Sequence, residues 1–339
     1  MDIIVSENRT NTIKELLADS SSVVTFISDS DVRELAKSLI ANGKTVYIFS
    51  PEDIVHSTPS TIVAIGTERT ILSARNSAHT HKLILAPNAP YMSCVRQSAI
   101  APHNNSCLIN DKQTVAIIIQ KDQIPNYQLE LFNLLFGTFA DINDAIDKTS
   151  STACNLSLMR KKVFDALLNH TYDEESIRTF FYSNVALNNA NIKSVYTALL
   201  QLGMSQIKTS NLQYFEFFTA YVINLLLLHF TNAHIKGIII GNDRVRLRSI
   251  IHTIMPAMVS SRHVIPIVPN KANIVRDELL AVALKYRHLS GYIDRQVSFD
   301  CVANLILELA EKVLIEGRLA QMAYSGIISE LLRTSYASE

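Results

Sequence analysis

The sequence predicts an α/β protein, with an N-terminal doubly wound parallel sheet domain followed by a C-terminal all-helical domain. Up to about residue 122, short runs of β-branched and other apolar residues alternate with segments whose apolar residues recur at helical spacing. Strands that are apolar on both faces are typical of parallel sheets covered by helices. Beyond residue 122 the strand signal almost disappears. We therefore expect a nucleotide-binding-like α/β domain over 1–122 and a helical domain over 123–339.

Six apolar runs are expected to form the strands. They lie at 3–5, 23–27, 46–49, 62–65, 83–87 and 115–119. A short helix is expected at 10–18. The run Ser28-Asp29-Ser30-Asp31 follows the second strand and supplies N-cap side chains for a helix that ends at Ala41.

The second half carries apolar residues three and four positions apart, the spacing of packed helices. Helices are expected at 127–136, 157–169, 176–186, 192–202, 212–230, 243–254, 274–289 and 299–332, the last broken at Gly317 and Gly326.

Composition excludes several classes of protein. Lys plus Arg and Asp plus Glu both number 31, so no net charge attracts nucleic acid or an anionic membrane. The four cysteines form no Cys-x-x-Cys pair, which argues against a zinc cage. The longest apolar stretch, 217–230, is shorter than the about 20 residues that a membrane span needs. The N-terminus lacks the pattern of a signal peptide, so we expect a cytoplasmic protein.

The most informative segment of the first half is 61–74, where a predicted strand leads directly into a predicted helix. An apolar run ends at Gly66, and a helical pattern follows at once. Such a strand–turn–helix junction presents free backbone N–H groups to an anion, which is where nucleotide-binding α/β domains hold phosphates.

The order of local motifs resembles the superfamily of dehydroquinate synthase, glycerol dehydrogenase and the iron-type alcohol dehydrogenases. Its strand and glycine turn are similar to 62–67, and 85–93 looks like the following strand and loop of glycerol-1-phosphate dehydrogenases. The segment 139–148 lies where those families carry a metal-binding carboxylate. The segment 233–241 resembles their His-Gly helix, which bears a metal-ligating histidine.

The resemblance implies NAD or NADP as cofactor. Its binding residues would be Gly66 and Thr67 at the pyrophosphate, with Pro87, Asn88 and Tyr91 on the nicotinamide side. This sequence departs from the family at the turn, because Gly66-Thr67-Glu68-Arg69 replaces Gly-Gly-Gly-Ser. The Glu68 charge and bulkier side chains oppose a pyrophosphate, whereas Arg69 is either a phosphate partner or a solvent-exposed arginine.

The resemblance also implies zinc or iron, held by one carboxylate and two histidines. Asp144 fits the carboxylate, with Asp141 as the alternative, and His234 fits the last ligand. No histidine lies at the usual position of the middle ligand, 14 to 21 residues upstream. His229 takes that role only if a loop separates it from His234, because a spacing of five residues does not put two side chains on one helical face. Two ligands alone bind these metals poorly.

The leading hypothesis is an NAD(P)-dependent, metal-assisted dehydrogenase acting on a polyol phosphate, with its site in a cleft between the domains. The alternatives are a non-catalytic homologue that acts as a binding or subunit-interaction protein, and a dehydroquinate-synthase-like cyclase. The expected partner is a small phosphorylated polyol or sugar, and a homo-oligomer is one of the alternatives for the assembly state. Weaker candidates outside these motifs are better explained as solvated surface: His79 with His81, His103, and Arg244 with Arg248.

Overall fold

The structure is a computed structural model of the 339-residue chain. It describes residues 1–53, 60–77, 82–96, 98–100, 106–108, 114–145, 153–169, 172–206, 212–235 and 299–329.

Eight strands are described. They are β1 (Asp2–Ser6), β2 (Val23–Ser28), β3 (Thr45–Phe49), β4 (Thr61–Gly66), β5 (Lys82–Pro87), β6 (Ser98–Ile100), β7 (Ser106–Leu108) and β8 (Thr114–Gln120). Six of them form one parallel sheet in the order β1-β8-β5-β4-β2-β3, and β6 pairs with β7 in a separate two-stranded sheet.

Ten α-helices are described. They are α1 (Arg9–Ala18), α2 (Arg33–Ala41), α3 (Glu68–Ser77), α4 (Gln128–Ala145), α5 (Ala153–Leu168), α6 (Glu174–Asn189), α7 (Val195–Gln206), α8 (Leu212–Ile235), α9 (Phe299–Glu311) and α10 (Arg318–Tyr324).

The strand order makes the sheet doubly wound. From β1 through β2 to β3 the chain moves toward one edge, and from β4 to β5 it moves back the other way. Parallel crossovers are right-handed, so α1 and α2 cover one face and α3 covers the other. Consistent with this, the side chains of Ile13 in α1 and Leu35 in α2 share one buried cluster with Phe26, Val63 and Ile84 of the sheet.

The chain divides into two compact units. Unit 1 comprises 1–99, 106–131 and 171–188 and contains the six-stranded sheet, whereas unit 2 comprises 100–105, 132–170 and 189–339. Within unit 2, α7, α8, α9 and α10 pack against one another. Helix α4 also lies close to α7, because Gly137 leaves room for the buried ring of Tyr196.

The predicted fold class is confirmed. All six predicted strands belong to the parallel sheet, and the predicted helices that fall on described residues are present. The last is broken around Gly317 and at Gly326, as expected. The short strands β6 and β7 were not predicted. The helices expected at 243–254 and 274–289 lie outside the described residues, and in the described part no helix has the length and apolar character of a membrane span.

Candidate cofactor and metal sites

Several predicted cofactor residues meet at the carboxyl edge of the sheet. Strand β4 ends at Gly66 and β5 ends at Pro87, and these two residues are paired across the strands. The N–H of Asn88 donates to the carbonyl oxygen of Gly66 at 2.8 Å. Thr67 follows directly and leads into α3. The fold thus brings the strand-end residues together at the edge where ligands of open α/β sheets bind.

A carboxylate that directly follows β2 lies at the beginning of α3. One oxygen of Asp29, Oδ2, accepts three hydrogen bonds: from the backbone N–H of Thr67 at 2.9 Å, from its hydroxyl at 2.6 Å and from the hydroxyl of Thr70 at 2.8 Å. The other oxygen accepts the hydroxyl of Ser30 at 3.2 Å. Asp29 therefore caps helix α3 through Thr67, which lies 38 residues later in the chain.

Gly66 makes room for this carboxylate. Its φ of +149° is a conformation that favours glycine, and a methyl group at this position would overlap the carboxylate of Asp29. In nucleotide-binding folds a glycine here lets a pyrophosphate approach the backbone. In this chain the Asp29 carboxylate fills that space, so a dinucleotide pyrophosphate does not fit the arrangement.

The Asp29 charge is stabilised by its donors. Burial favours the neutral form, but the hydrogen bonds from Thr67, Thr70 and Ser30 outweigh it and hold the pKa of Asp29 below its ordinary value. Glu68, on the next residue of the turn, behaves differently, because burial raises its pKa. The Glu68 charge could be recognised from its place in the turn, whereas the more consequential charge of Asp29 comes from a residue far away in the sequence.

Arg9 is a second residue that sequence reasoning missed. Its Nη1 donates to the carbonyl oxygen of Ala86 at 3.4 Å and to Oδ1 of Asn88 at 3.2 Å, which places the guanidinium at the end of β5. Burial lowers the pKa of Arg9, and nearby acidic groups oppose that shift. Burial also raises the pKa of Tyr91 and brings that of Tyr127 to about 12, so both phenols stay protonated at neutral pH.

Arg69, which was considered as a phosphate partner, pairs with a carboxylate in the structure. Its guanidinium forms an exposed ion pair with Glu52 at 2.9 Å. Such surface pairs contribute little to stability. This contact agrees with the second of the two interpretations, a solvent-exposed arginine.

In unit 2, Asp144 lies in the last turn of α4 and is 2% exposed. Its Oδ1 accepts the backbone N–H of Leu319, in the first turn of α10, at 2.9 Å. Gly317, with φ +108°, precedes that helix, and a methyl group there would overlap Oδ2 of Asp144. Burial lowers the pKa of the adjacent Arg318, an effect that Asp144 opposes. The residue predicted to bind metal thus anchors a helix N-terminus.

Asp141, the alternative metal carboxylate, caps a different helix. Its Oδ2 accepts the hydroxyl of Ser194 at 2.5 Å, and its Oδ1 accepts the N–H of Tyr196 at 3.1 Å. The Ser194 hydroxyl in turn accepts the N–H of Thr197 at 3.1 Å, in the first turn of α7. Asp141 is 1% exposed. Two acids three residues apart on α4 therefore hold the first turns of α7 and α10.

Asn143, between these acids, is also fixed by polar contacts. Its side-chain N–H donates to Oδ1 of Asn224 at 2.8 Å, and its Oδ1 accepts from Arg160 at 2.7 Å. The polar side chains at this end of α4 thus form hydrogen bonds within unit 2.

The two predicted histidine ligands lie on one continuous helix. Helix α8 runs through both His229 and His234, so the loop required between them is not present. Five residues turn an α-helix by about 140° from the starting direction, which directs the two positions away from a common face. Their side chains lie outside the described set. Among the described side chains, no three His, Cys, Asp or Glu residues are grouped as a metal site requires.

One local expectation needs correction. The run Ser28-Asp29-Ser30-Asp31 was expected to supply the N-cap residue of α2, but that residue is Val32. Of the run, only Asp31 contacts the helix N-terminus, by accepting the N–H of Arg33 at 3.0 Å. Asp29 turns instead to α3, because β4 lies next to β2 in the sheet. The candidates His79, His81, His103, Arg244 and Arg248 lie outside the described residues.

Comparison with known proteins supports the fold. Neither a protein-family model nor a curated protein sequence matches the chain significantly. Among solved structures, it is similar to glycerol dehydrogenase from Schizosaccharomyces pombe, with TM-score 0.52, 12% identity, and 88% of this chain and 95% of that chain covered. It is also similar to an iron-containing alcohol dehydrogenase from Thermotoga maritima, with TM-score 0.52, 11% identity, and coverage of 97% and 98%.

A third similar structure is the iron-containing alcohol dehydrogenase of Corynebacterium glutamicum, with TM-score 0.52, 12% identity, and coverage of 95% and 94%. At such identities the likeness concerns the fold. The resemblance inferred from short motifs is confirmed at that level: this chain has the fold shared by glycerol dehydrogenase and the iron-containing alcohol dehydrogenases.

Proposed function

We propose that this chain is a diverged protein of the dehydrogenase fold that works as a binding or subunit-interaction protein and does not carry out metal-assisted hydride transfer. The observation that carries the proposal is the contact of Asp144 with the first turn of α10. Its Oδ1 accepts the Leu319 N–H at 2.9 Å, and the Gly317 backbone lies against Oδ2.

A catalytic metal needs ligand oxygens that face the ion, together with further ligands and an open coordination position. Asp144 instead neutralises a helix N-terminus inside unit 2, and the helix dipole makes that a favourable place for a carboxylate. The arrangement of Asp144, His229 and His234 does not fit the metal site of the families that the sequence resembles. The continuous course of α8 through His229 and His234 supports the same proposal.

The test is metal analysis of the full-length protein after incubation with zinc or iron and dialysis. We expect well under one metal ion per chain in the wild type, and the same in Asp144→Asn and His234→Ala. Asp144→Asn should lower the free energy of unfolding by about 1–3 kcal/mol, because it replaces a buried charged acceptor. Asp141→Asn is the matched variant at the alternative metal carboxylate, and it alters the neighbouring cap.

About one metal ion per chain in the wild type, lost in His234→Ala and in either Asp144→Asn or Asp141→Asn, would contradict the proposal. That pattern would favour the second candidate, an NAD(P)-dependent, metal-assisted dehydrogenase acting on a polyol or polyol phosphate. The fold supports this candidate, because the structures similar to the chain include glycerol and alcohol dehydrogenases. Reduction of NAD or NADP in the presence of glycerol or glycerol 1-phosphate measures it directly.

A further inference from the structure

Asp29 and Thr67 lie where the winding of the sheet reverses. Strands β2 and β4 are neighbours, yet the chain continues from β2 to β3 on one side and from β4 to β5 on the other. Open α/β sheets bind their ligands outside the carboxyl ends of the strands at this point. Asp29 directly follows β2, and Thr67 directly follows β4.

The groups around the Asp29 carboxylate form the kind of donor set that holds a phosphate. It combines a backbone N–H at the beginning of α3 with two threonine hydroxyls, and all three lie within 2.9 Å of one oxygen. Helix N-termini of this kind bind anions. Here the anion belongs to the chain itself, and the absence of a side chain at Gly66 is what allows it to approach so closely.

We propose that Asp29 is a built-in anion that occupies the phosphate position of the dehydrogenase fold and thereby excludes dinucleotides from this chain. A pyrophosphate would have to displace a carboxylate that already holds the donors and carries the same sign of charge. Replacing Asp29 with a small neutral residue should free the Thr67 and Thr70 donors and create an anion site. The residues involved all belong to unit 1, and their contacts are independent of Asp144.

The experiment compares the full-length wild type with Asp29→Ala and Asp29→Asn. Binding of NADH and NADPH is followed by fluorescence and binding of inorganic phosphate by calorimetry. Asp31→Ala is the control, because it removes a nearby carboxylate that contacts Arg33 and not α3. We expect no saturable binding by the wild type or the control up to about 1 mM ligand. Asp29→Ala should bind phosphate or NADH at least about tenfold more tightly.

A further substitution checks where the new anion lies. In the Asp29→Ala background, Thr70→Val removes one hydroxyl donor and should weaken phosphate binding again. If Asp29→Ala does not fold, Asp29→Asn removes the charge with nearly the same shape and should show a smaller gain of affinity.

Micromolar NADH binding by the wild type would overturn the inference, whatever the variants do. So would folded Asp29→Ala and Asp29→Asn proteins that gain no affinity for phosphate or NADH. Failure here is distinguishable from failure of the proposed function, because one is read from dinucleotide and phosphate binding and the other from metal content.

Discussion

Asp29 accepts both the backbone N–H and the hydroxyl of Thr67, at 2.9 and 2.6 Å, and so joins the ends of two neighbouring parallel strands. This contact places a negative charge at the N-terminus of α3. The charge stabilises the helix, and it occupies the position at which a phosphate would be expected in the dehydrogenase fold. The same arrangement determines how stability should respond to pH.

The Asp29 contribution to stability should disappear in acid. Because the folded-state pKa lies below the ordinary value of 3.8, the contribution is present above the unfolded-state pKa and is lost as the pH falls through the folded-state pKa. At neutral pH, Asp29→Ala should lower the free energy of unfolding by about 0.5–2 kcal/mol, the usual effect of losing a helix cap.

Chemical denaturation of the wild type and Asp29→Ala between about pH 7 and pH 3 measures this effect. The stability difference should be constant at the upper end of the range and shrink at the lower end. A difference that does not change over the whole range would show that the Asp29 charge plays no part.

Asp141 should stabilise unit 2 through the first turn of α7. Asp141→Ala leaves the Ser194 hydroxyl and the Tyr196 N–H without this buried acceptor, so we expect a loss of about 2–4 kcal/mol. In a double-mutant cycle with Ser194→Ala, the coupling energy should be about 1 kcal/mol, because the two side chains share a hydrogen bond. Denaturant titration of the four proteins gives both values, and additive effects would count against the shared cap.

Gly317→Ala should be more harmful than Gly326→Ala. Both residues have positive φ, +108° and +77°, and the ψ of −160° places Gly317 in a region that is essentially glycine-only. Backbone strain should therefore cost about 1 kcal/mol at Gly326 and about 1–3 kcal/mol at Gly317. A methyl group at Gly317 also overlaps the Asp144 carboxylate, whereas one at Gly326 meets no atom within 4 Å. The additional cost of displacing Asp144 should be about 1–3 kcal/mol.

Gly326→Ala is the control for that comparison, since it lies in the same unit and replaces a positive-φ glycine where a methyl group meets no atom within 4 Å. Thermal and chemical denaturation of the two variants measures the difference between them. Equal destabilisation by both substitutions would mean that Asp144 is not held tightly against the backbone at Gly317.

Much of the fold could be predicted because it depends on local pattern. The runs 62–65 and 115–119 are apolar at every position or nearly so, which predicts strands buried on both faces, and both lie in the parallel sheet. The strand–glycine–helix junction at Gly66 was also predicted. The short strands β6 and β7 carry too few residues for their alternation to be read.

The candidate site was harder to predict, because its decisive contacts join residues far apart in sequence. Asp29 looked like a cap for the helix that follows it, and Asp144 looked like a metal ligand. A side chain at a strand end can serve its own helix or a neighbouring one, and only strand order decides between them. Likewise, the partner of Asp144 lies 175 residues away, at Leu319.

The sequence by itself determined the alternation of strands and helices, the buried parallel sheet and the glycine at the end of β4, because spacing and residue type act over a few residues. Only the tertiary structure decided which helix N-termini donate hydrogen bonds to the carboxylates of Asp29 and Asp144. Because β2 and β4 are adjacent, Asp29 accepts hydrogen bonds at the N-terminus of α3. Because of the packing within unit 2, Asp144 accepts one at the N-terminus of α10. The physical reason is that a helix N-terminus attracts any carboxylate within reach, and reach is set by the fold.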